Sequence, residues 1–103
     1  MDDNLRFTML FDIYGKLLTA KQQDIFNEYF LYNLSLREIA ENKKISYQAV
    51  RDSIKSSKEL LNDYEEKVGM LKLKTKFSNI KKICESENFD KNKILELLSE
   101  DDM

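Results

Sequence analysis

The stretch Leu34-Ser35-Leu36-Arg37-Glu38-Ile39-Ala40-Glu41-Asn42-Lys43-Lys44-Ile45-Ser46-Tyr47-Gln48-Ala49-Val50-Arg51 decides the fold. Ser35 followed three residues later by Glu38 is a capping-box pattern, in which the hydroxyl and the carboxylate each satisfy a backbone amide of the first turn. It predicts a short helix over 36–42 with Leu36, Ile39 and Ala40 inward. Lys43, Lys44 and Ile45 then make a tight turn, and Ser46 caps a second, longer helix. A short helix, a turn of three residues and a capped helix form a helix-turn-helix. Ala40 is small where two helices cross, Ile45 plugs the corner, and Val50 and Ile54 anchor the second helix.

Working outward, the second helix continues far beyond the motif. Val50, Ile54, Leu61, Tyr64 and Val68 recur every three or four residues, with Ser57 at the missing step, and nothing interrupts before Gly69. Upstream, Phe7, Leu10, Phe11, Tyr14, Leu17 and Leu18 follow helical spacing, widened by Met9 and Ile13. Thr19 with Gln22 is another capping box, opening a helix whose inner face is Ile25, Phe26, Tyr29 and Phe30. At Gly69 the apolar phase slips, so a bend or boundary falls there. Met70, Leu73, Phe77, Ile80 and Cys84 form the next seam, with Cys84 expected as a small buried hydrophobe. Glu85 to Phe89 reads as a linker, Asp90 caps a last helix bearing Ile94, Leu95, Leu97 and Leu98, and the acidic end frays. The expected helices are 5–18, 20–32, 36–42, 47–68, 70–84 and 91–99. The expected domains are 1–68, a helix-turn-helix domain, and 69–103, a C-terminal helical extension with an acidic tail.

Composition agrees with an all-α chain. Of 103 residues none is proline and two are glycine, which nearly excludes a turn-rich β-sandwich or barrel. Without histidine and with one cysteine, a zinc site or a histidine-based catalytic unit lacks its ligands or its base. One thiol cannot form an internal disulfide, which suits a reducing, cytoplasmic setting. No apolar run reaches the roughly 20 residues of a membrane span, and the start shows no signal peptide. No glycine-rich phosphate cradle or carboxylate dyad is visible, so no enzyme activity and no cofactor are expected.

The net charge of −2 by itself argues against nucleic-acid binding, but its distribution matters more. Residues 34–64 carry six basic and five acidic side chains, 65–82 six and two, and 83–103 two and seven. An angular count on the second motif helix, at about 100° per residue from Tyr47, puts Lys58 near 20°, Arg51 near 40°, Lys55 near 80° and Gln48 near 100°. The apolar residues of the same helix fall between about 220° and 340°. In a groove-binding reading, Tyr47, Gln48 and Arg51 meet base edges, and Lys55 and Lys58 meet phosphates. Asp52, Glu59 and Asp63 lie near the edge of that arc and would repel phosphate, and an ordinary solvated helix face gives the same pattern.

Three segments carry a resemblance. Leu18-Thr19-x-x-Gln22, Leu34-Ser35-Leu36-x-Glu38-Ile39-Ala40-Glu41 and Ile45-Ser46-x-x-Ala49-Val50-Arg51 resemble region 4 of bacterial sigma factors, whose helix-turn-helix reads promoter DNA. Leu10-Phe11-Asp12-Ile13-Tyr14, the Leu-Leu-Thr-Ala-Lys-Gln junction at 17–22, Ser46-Tyr47-Gln48-Ala49-Val50 and Tyr64-Glu65-Glu66-Lys67 are similar to the YlxM-like helix-turn-helix proteins (UPF0122). The similarity covers residues 7–71. It implies a bundle of five or six helices around a sigma-region-4-like motif, winged-helix-related but wingless, with a long recognition helix. It also implies a bacterial cytoplasmic regulator bound to duplex DNA and linked to signal recognition particle components. The alternatives are a protein-interaction module that binds the particle's GTPase and RNA without DNA, and an anti-sigma-like or structural helical module with no nucleic-acid role. Three residues depart from the pattern. Tyr47 stands where relatives commonly carry Arg, Lys43 where an apolar residue is usual, and Lys44 where sigma-like turns often have Gly. A left-handed Lys44 costs about 1–2 kcal/mol, and Lys43 and Lys44 instead offer phosphate contacts beside the turn.

The Met70–Cys84 seam is surrounded by Lys72, Lys74, Lys76, Lys81 and Lys82. Packing back on the domain is the expectation. Self-association as a homo-oligomer, through the N-terminal or C-terminal helices, and docking on another protein or on RNA are the alternatives.

Overall fold

The computed structural model describes residues 3–86 and 90–99. Among these residues it contains six α-helices and no strand: α1 (Asp3–Tyr14), α2 (Ala20–Phe26), α3 (Leu36–Lys43), α4 (Tyr47–Val68), α5 (Met70–Glu85) and α6 (Lys91–Ser99). The expected all-α bundle with a helix-turn-helix is what the chain forms. Residues 87–89 of the expected linker and the acidic end at 100–103 lie outside the described residues. The chain divides into two compact units, Met1–Val68 and Gly69–Met103.

In the first unit α1 ends four residues earlier than the apolar spacing predicts. Gly15–Leu17 tightens into a 3₁₀ turn and Leu18 is extended, its amide donating to the Gly15 carbonyl at 3.0 Å. Glycine suits position 15, because a Cβ would stand 3.0 Å from the Phe11 ring and the ring would have to shift to admit it. The turn buries Leu18 and leaves Leu17 exposed, against the expectation that both face inward. Thr19 then opens α2 with the expected capping box, its hydroxyl accepting from the Gln22 amide and the Gln22 side chain accepting from the Thr19 amide.

The expected helix over 20–32 is not α-helical throughout. From Asn27 to Leu31 it widens into a π-turn, with the Tyr32 amide reaching back to the Asn27 carbonyl at 3.0 Å. The aromatic stack within and beside it accompanies the distortion. Phe26 and Phe30 stack at 4.3 Å, Phe11 stacks on Phe26 at 4.8 Å, and Tyr29 meets Phe30 edge-on at 4.9 Å. Single π-turns of this kind are frequent at functional sites.

The core of the helix-turn-helix is Ile25, Ile39, Ala40, Val50 and Ile54, with Tyr29, Phe30, Leu34, Leu36 and Ile45 packed around it. Ile25, Ile39 and Val50 are fully buried. Each such side chain contributes about 1.5–3 kcal/mol relative to exposure. Helix α1 lies along the C-terminal half of α4 and runs in the same direction: Lys58 sits over Phe7, and further on Tyr14 meets Tyr64 and donates to Glu65 at 2.8 Å. An Arg6–Asn62 hydrogen bond at 3.1 Å adds to this seam. The N-terminal half of α4 is thereby left to α2 and α3.

In the second unit α5 and α6 pack against each other. Asp90 caps α6, accepting from the Asn92 amide at 2.9 Å. The seam expected on α5 is not the buried one. Leu71 is buried, while Leu73, Phe77 and Cys84 are exposed. Cys84 is therefore a surface thiol and not the small core residue expected. Val68, expected on the inner stripe of α4, is also exposed. At this point the chain turns: Gly69 adopts φ 72°, a left-handed conformation that favours glycine.

Candidate nucleic-acid interface

The corner between α3 and α4 is built by local chemistry. Ser35 accepts from the Glu38 amide at 3.1 Å, and the Glu38 carboxylate accepts from the Ser35 amide at 3.0 Å. That backbone amide, and secondarily the Ser35 hydroxyl, hold the Glu38 carboxyl below the usual carboxylate range. At the other end of α3, Lys44 is left-handed (φ 56°, ψ 44°). Its amide donates to Glu41 and the Ile45 amide to Ala40, a Schellman termination. Ser46 then caps α4, accepting from the Ala49 amide at 3.0 Å.

With Val50 and Ile54 locked inward, the first turns of α4 present Tyr47, Gln48, Arg51 and Lys55 outward, all exposed. Tyr47 is half accessible. Lys44 is exposed beside them at the turn. The N-terminal end of α4, the positive end of its dipole, adjoins Lys44 and Tyr47 and favours an anion there. Gln48 is not a loose side chain: its amide donates to Asp52 Oδ1 at 2.8 Å, fixing it along the helix.

Two of the candidate lysines are held elsewhere. Lys58 rests 5.1 Å from the Phe7 ring centre and 5.4 Å from that of Phe30, so its stem is half-buried on the aromatic cluster. Its angular position, about 40° from Ile54, put it at the margin of the inner stripe. Lys43 pairs with Glu28 of the π-turn at 3.5 Å, both side chains largely covered. Glu28 Oε2 is buried and makes this ion pair without a well-aligned hydrogen bond.

A groove of about 510 Å³ opens beside the exposed face, with Tyr29, Leu36 and Ile54 as apolar lining and Arg51, Asp52, Lys55 and Lys58 along α4. On the opposite side of the corner Arg37 and Tyr47 share a smaller depression of about 370 Å³ with Ala40, Glu41 and Ile45. Arg37, Tyr29 and Leu36 escape a count confined to α4. The basic character of Arg37 on the outward side of α3 was the available signal, whereas Tyr29 comes to the groove from the π-turn, an element apart from α4. Among the described residues no helix is long and apolar enough to cross a membrane.

Residues 1–100 match the protein family described as "Putative helix-turn-helix protein, YlxM / p13 like". A UPF0122 protein of Caldanaerobacter subterraneus subsp. tengcongensis is 49% identical over 71 residues, 69% of this chain and 61% of the relative. One from Thermoanaerobacter sp. is 45% identical over 87 residues, 80% of this chain and 74% of the relative. Another, from Listeria welshimeri, is 51% identical over 67 residues, 65% of this chain and 61% of the relative. The matched stretch thus spans less than two thirds of the first and third of these relatives. With the helix-turn-helix corner in place and the match running over nearly the whole sequence, this chain belongs to the UPF0122 family of YlxM/p13-like helix-turn-helix proteins.

Proposed function

We propose that this protein is a non-enzymatic cytoplasmic regulator that binds duplex DNA, with α4 as the recognition helix. The observation that carries this reading is the exposure of Tyr47, Gln48, Arg51 and Lys55 on the first turns of α4, opposite a fully packed inner stripe. Tyr47, Gln48 and Arg51 are assigned to base edges, Arg51 bidentate to guanine where the sequence allows. Lys55 and Lys44 are assigned to phosphates, with Lys43 and Lys58 as weaker contributors because each is already engaged. Participation in the signal recognition particle pathway is proposed from the family resemblance alone.

A second reading, a protein-interaction module for the signal recognition particle's GTPase and RNA, is favoured on its protein side by one feature. The Asp52 carboxylate, held against Gln48, stands on the same face and repels phosphate.

Fluorescence anisotropy with a labelled duplex separates the two. Affinity should fall by at least about tenfold between roughly 50 and 200 mM salt. Arg51→Ala with Lys55→Ala should lower the log–log salt slope by about one, for the Lys55 phosphate contact, and relax the base preference at the position Arg51 reads. Absence of duplex binding at low salt, with capture of the particle retained in the double variant, supports the second reading and overturns the first.

A further inference from the structure

Among the described residues that line the groove beside α4, Asp52 is the one acidic side chain, set among Gln48, Arg51, Lys55 and Lys58. A carboxylate in such company ordinarily takes a cation, and Lys55, three residues on, is within reach along a helix. The structure pairs it otherwise. Asp52 Oδ1 accepts from Gln48 Nε2 at 2.8 Å. Among the described residues neither Arg51 nor Lys55 is ion-paired, and Lys58 rests on the Phe7 and Phe30 rings.

That bond orients an amide. Gln48 carries one carbonyl oxygen and an NH2 group with two protons. Turned over, it would set Oε1 against the Asp52 carboxylate, acceptor against acceptor, so one of its two orientations is bonded and the other repelled. With one proton given to Asp52, Gln48 keeps one acceptor and one donor for a ligand, on an exposed side chain in the first turn of α4. In the major groove adenine offers a donor at N6 and an acceptor at N7, the complement of that pair. Guanine offers two acceptors, thymine an acceptor and a methyl group, and cytosine a donor. An amide free to turn meets each of these with a single bond. An amide held from behind presents its acceptor and donor in a set order.

We infer that Asp52 is a positioning residue for base readout, holding the Gln48 amide so that Oε1 accepts from adenine N6–H and the second Nε2–H donates to adenine N7. The inference rests on the duplex-binding reading of α4 and names one base that the helix reads. It also gives an acidic residue a place on a basic face. The Asp52 charge disfavours phosphate, but it engages the amide and leaves Arg51 and Lys55 uncancelled.

Selection by the full chain from a pool of randomised duplexes tests this, with fluorescence anisotropy on the selected duplex and its single-base variants. The parent should prefer adenine at one position by at least about fivefold, the low end for a bidentate contact. Gln48→Ala should remove that preference. Asp52→Ala should reduce it to within about twofold while raising affinity for unselected duplex, because a like charge leaves the interface. Asp52→Asn keeps an acceptor for the Gln48 amide and loses the charge. It should raise affinity in the same way yet retain the adenine preference. A bond that only stabilises the helix moves the urea midpoint and leaves base preference where it was. Duplex binding in which adenine preference survives Asp52→Ala, or in which none depends on Gln48, overturns the inference while the duplex reading stands. Loss of the preference in Asp52→Asn as fully as in Asp52→Ala overturns it too. A parent that binds no duplex at low salt removes the duplex reading and this inference together.

Discussion

At Lys44 the backbone adopts φ 56° and ψ 44°, a conformation in which an L side chain crowds the following carbonyl. The Schellman hydrogen bonds of Lys44 and Ile45 hold it there. Lys44→Gly should therefore stabilise the protein by about 0.5–1 kcal/mol, the relief of left-handed strain net of the extra freedom glycine has when unfolded. The urea midpoint reads this directly, and a fall in midpoint contradicts it. Ser57 is the second residue out of keeping with its surroundings. It is 1% exposed, in the middle of α4, and its hydroxyl has no hydrogen-bond partner. A buried, unsatisfied hydroxyl costs about 1–3 kcal/mol, and alanine is the better helix former. Ser57→Ala is expected to raise stability by about 1 kcal/mol; a loss of stability would mean that the hydroxyl is satisfied in solution.

At the scale of elements, local signals predicted what local interactions build. The capping boxes at Thr19 and Ser35 are each closed by groups three residues apart, so their residue types alone announce them. The sign of the Glu38 effect follows. Its carboxyl is held below the usual range, so its contribution to stability is fully present above the ordinary carboxylate value and is lost as pH falls through the lowered one. Glu38→Gln should therefore be less stable than the parent at neutral pH, with the gap closing on the acid side of the carboxylate range. Paired urea titrations across that range check it, and a pH-independent gap contradicts it. The π-turn at Asn27–Leu31 was not legible, because the apolar spacing over 20–32 is that of an ordinary α-helix and the stack of Phe11, Phe26 and Phe30 that accompanies the turn joins residues far apart in sequence. Nor was the engagement of Lys43 and Lys58, whose partners Glu28, Phe7 and Phe30 lie far away in sequence. The α5 seam misleads for a related reason: heptad spacing marks a stripe as apolar, but not that Leu73, Phe77 and Cys84 are exposed while Leu71 is buried. So the corner and the exposure of Tyr47, Gln48, Arg51 and Lys55 could be read from spacing, while the groove beside them, which Tyr29 and Leu36 line from other elements, could not.

For the whole molecule the distribution of charge governs what it can bind. The overall balance is −2, yet the outward start of α4 and the α5 helix are basic while the chain end is acidic. Net repulsion from nucleic acid is therefore weak, and a local contact decides binding. The proposal places that contact on α4. Amide chemical-shift mapping during titration with a short duplex tests it most directly. Shifts should concentrate at Lys44 and on Tyr47, Gln48, Arg51 and Lys55, with little change on α1. Shifts confined to α5, or none on the first turns of α4 while the duplex is bound, would contradict it.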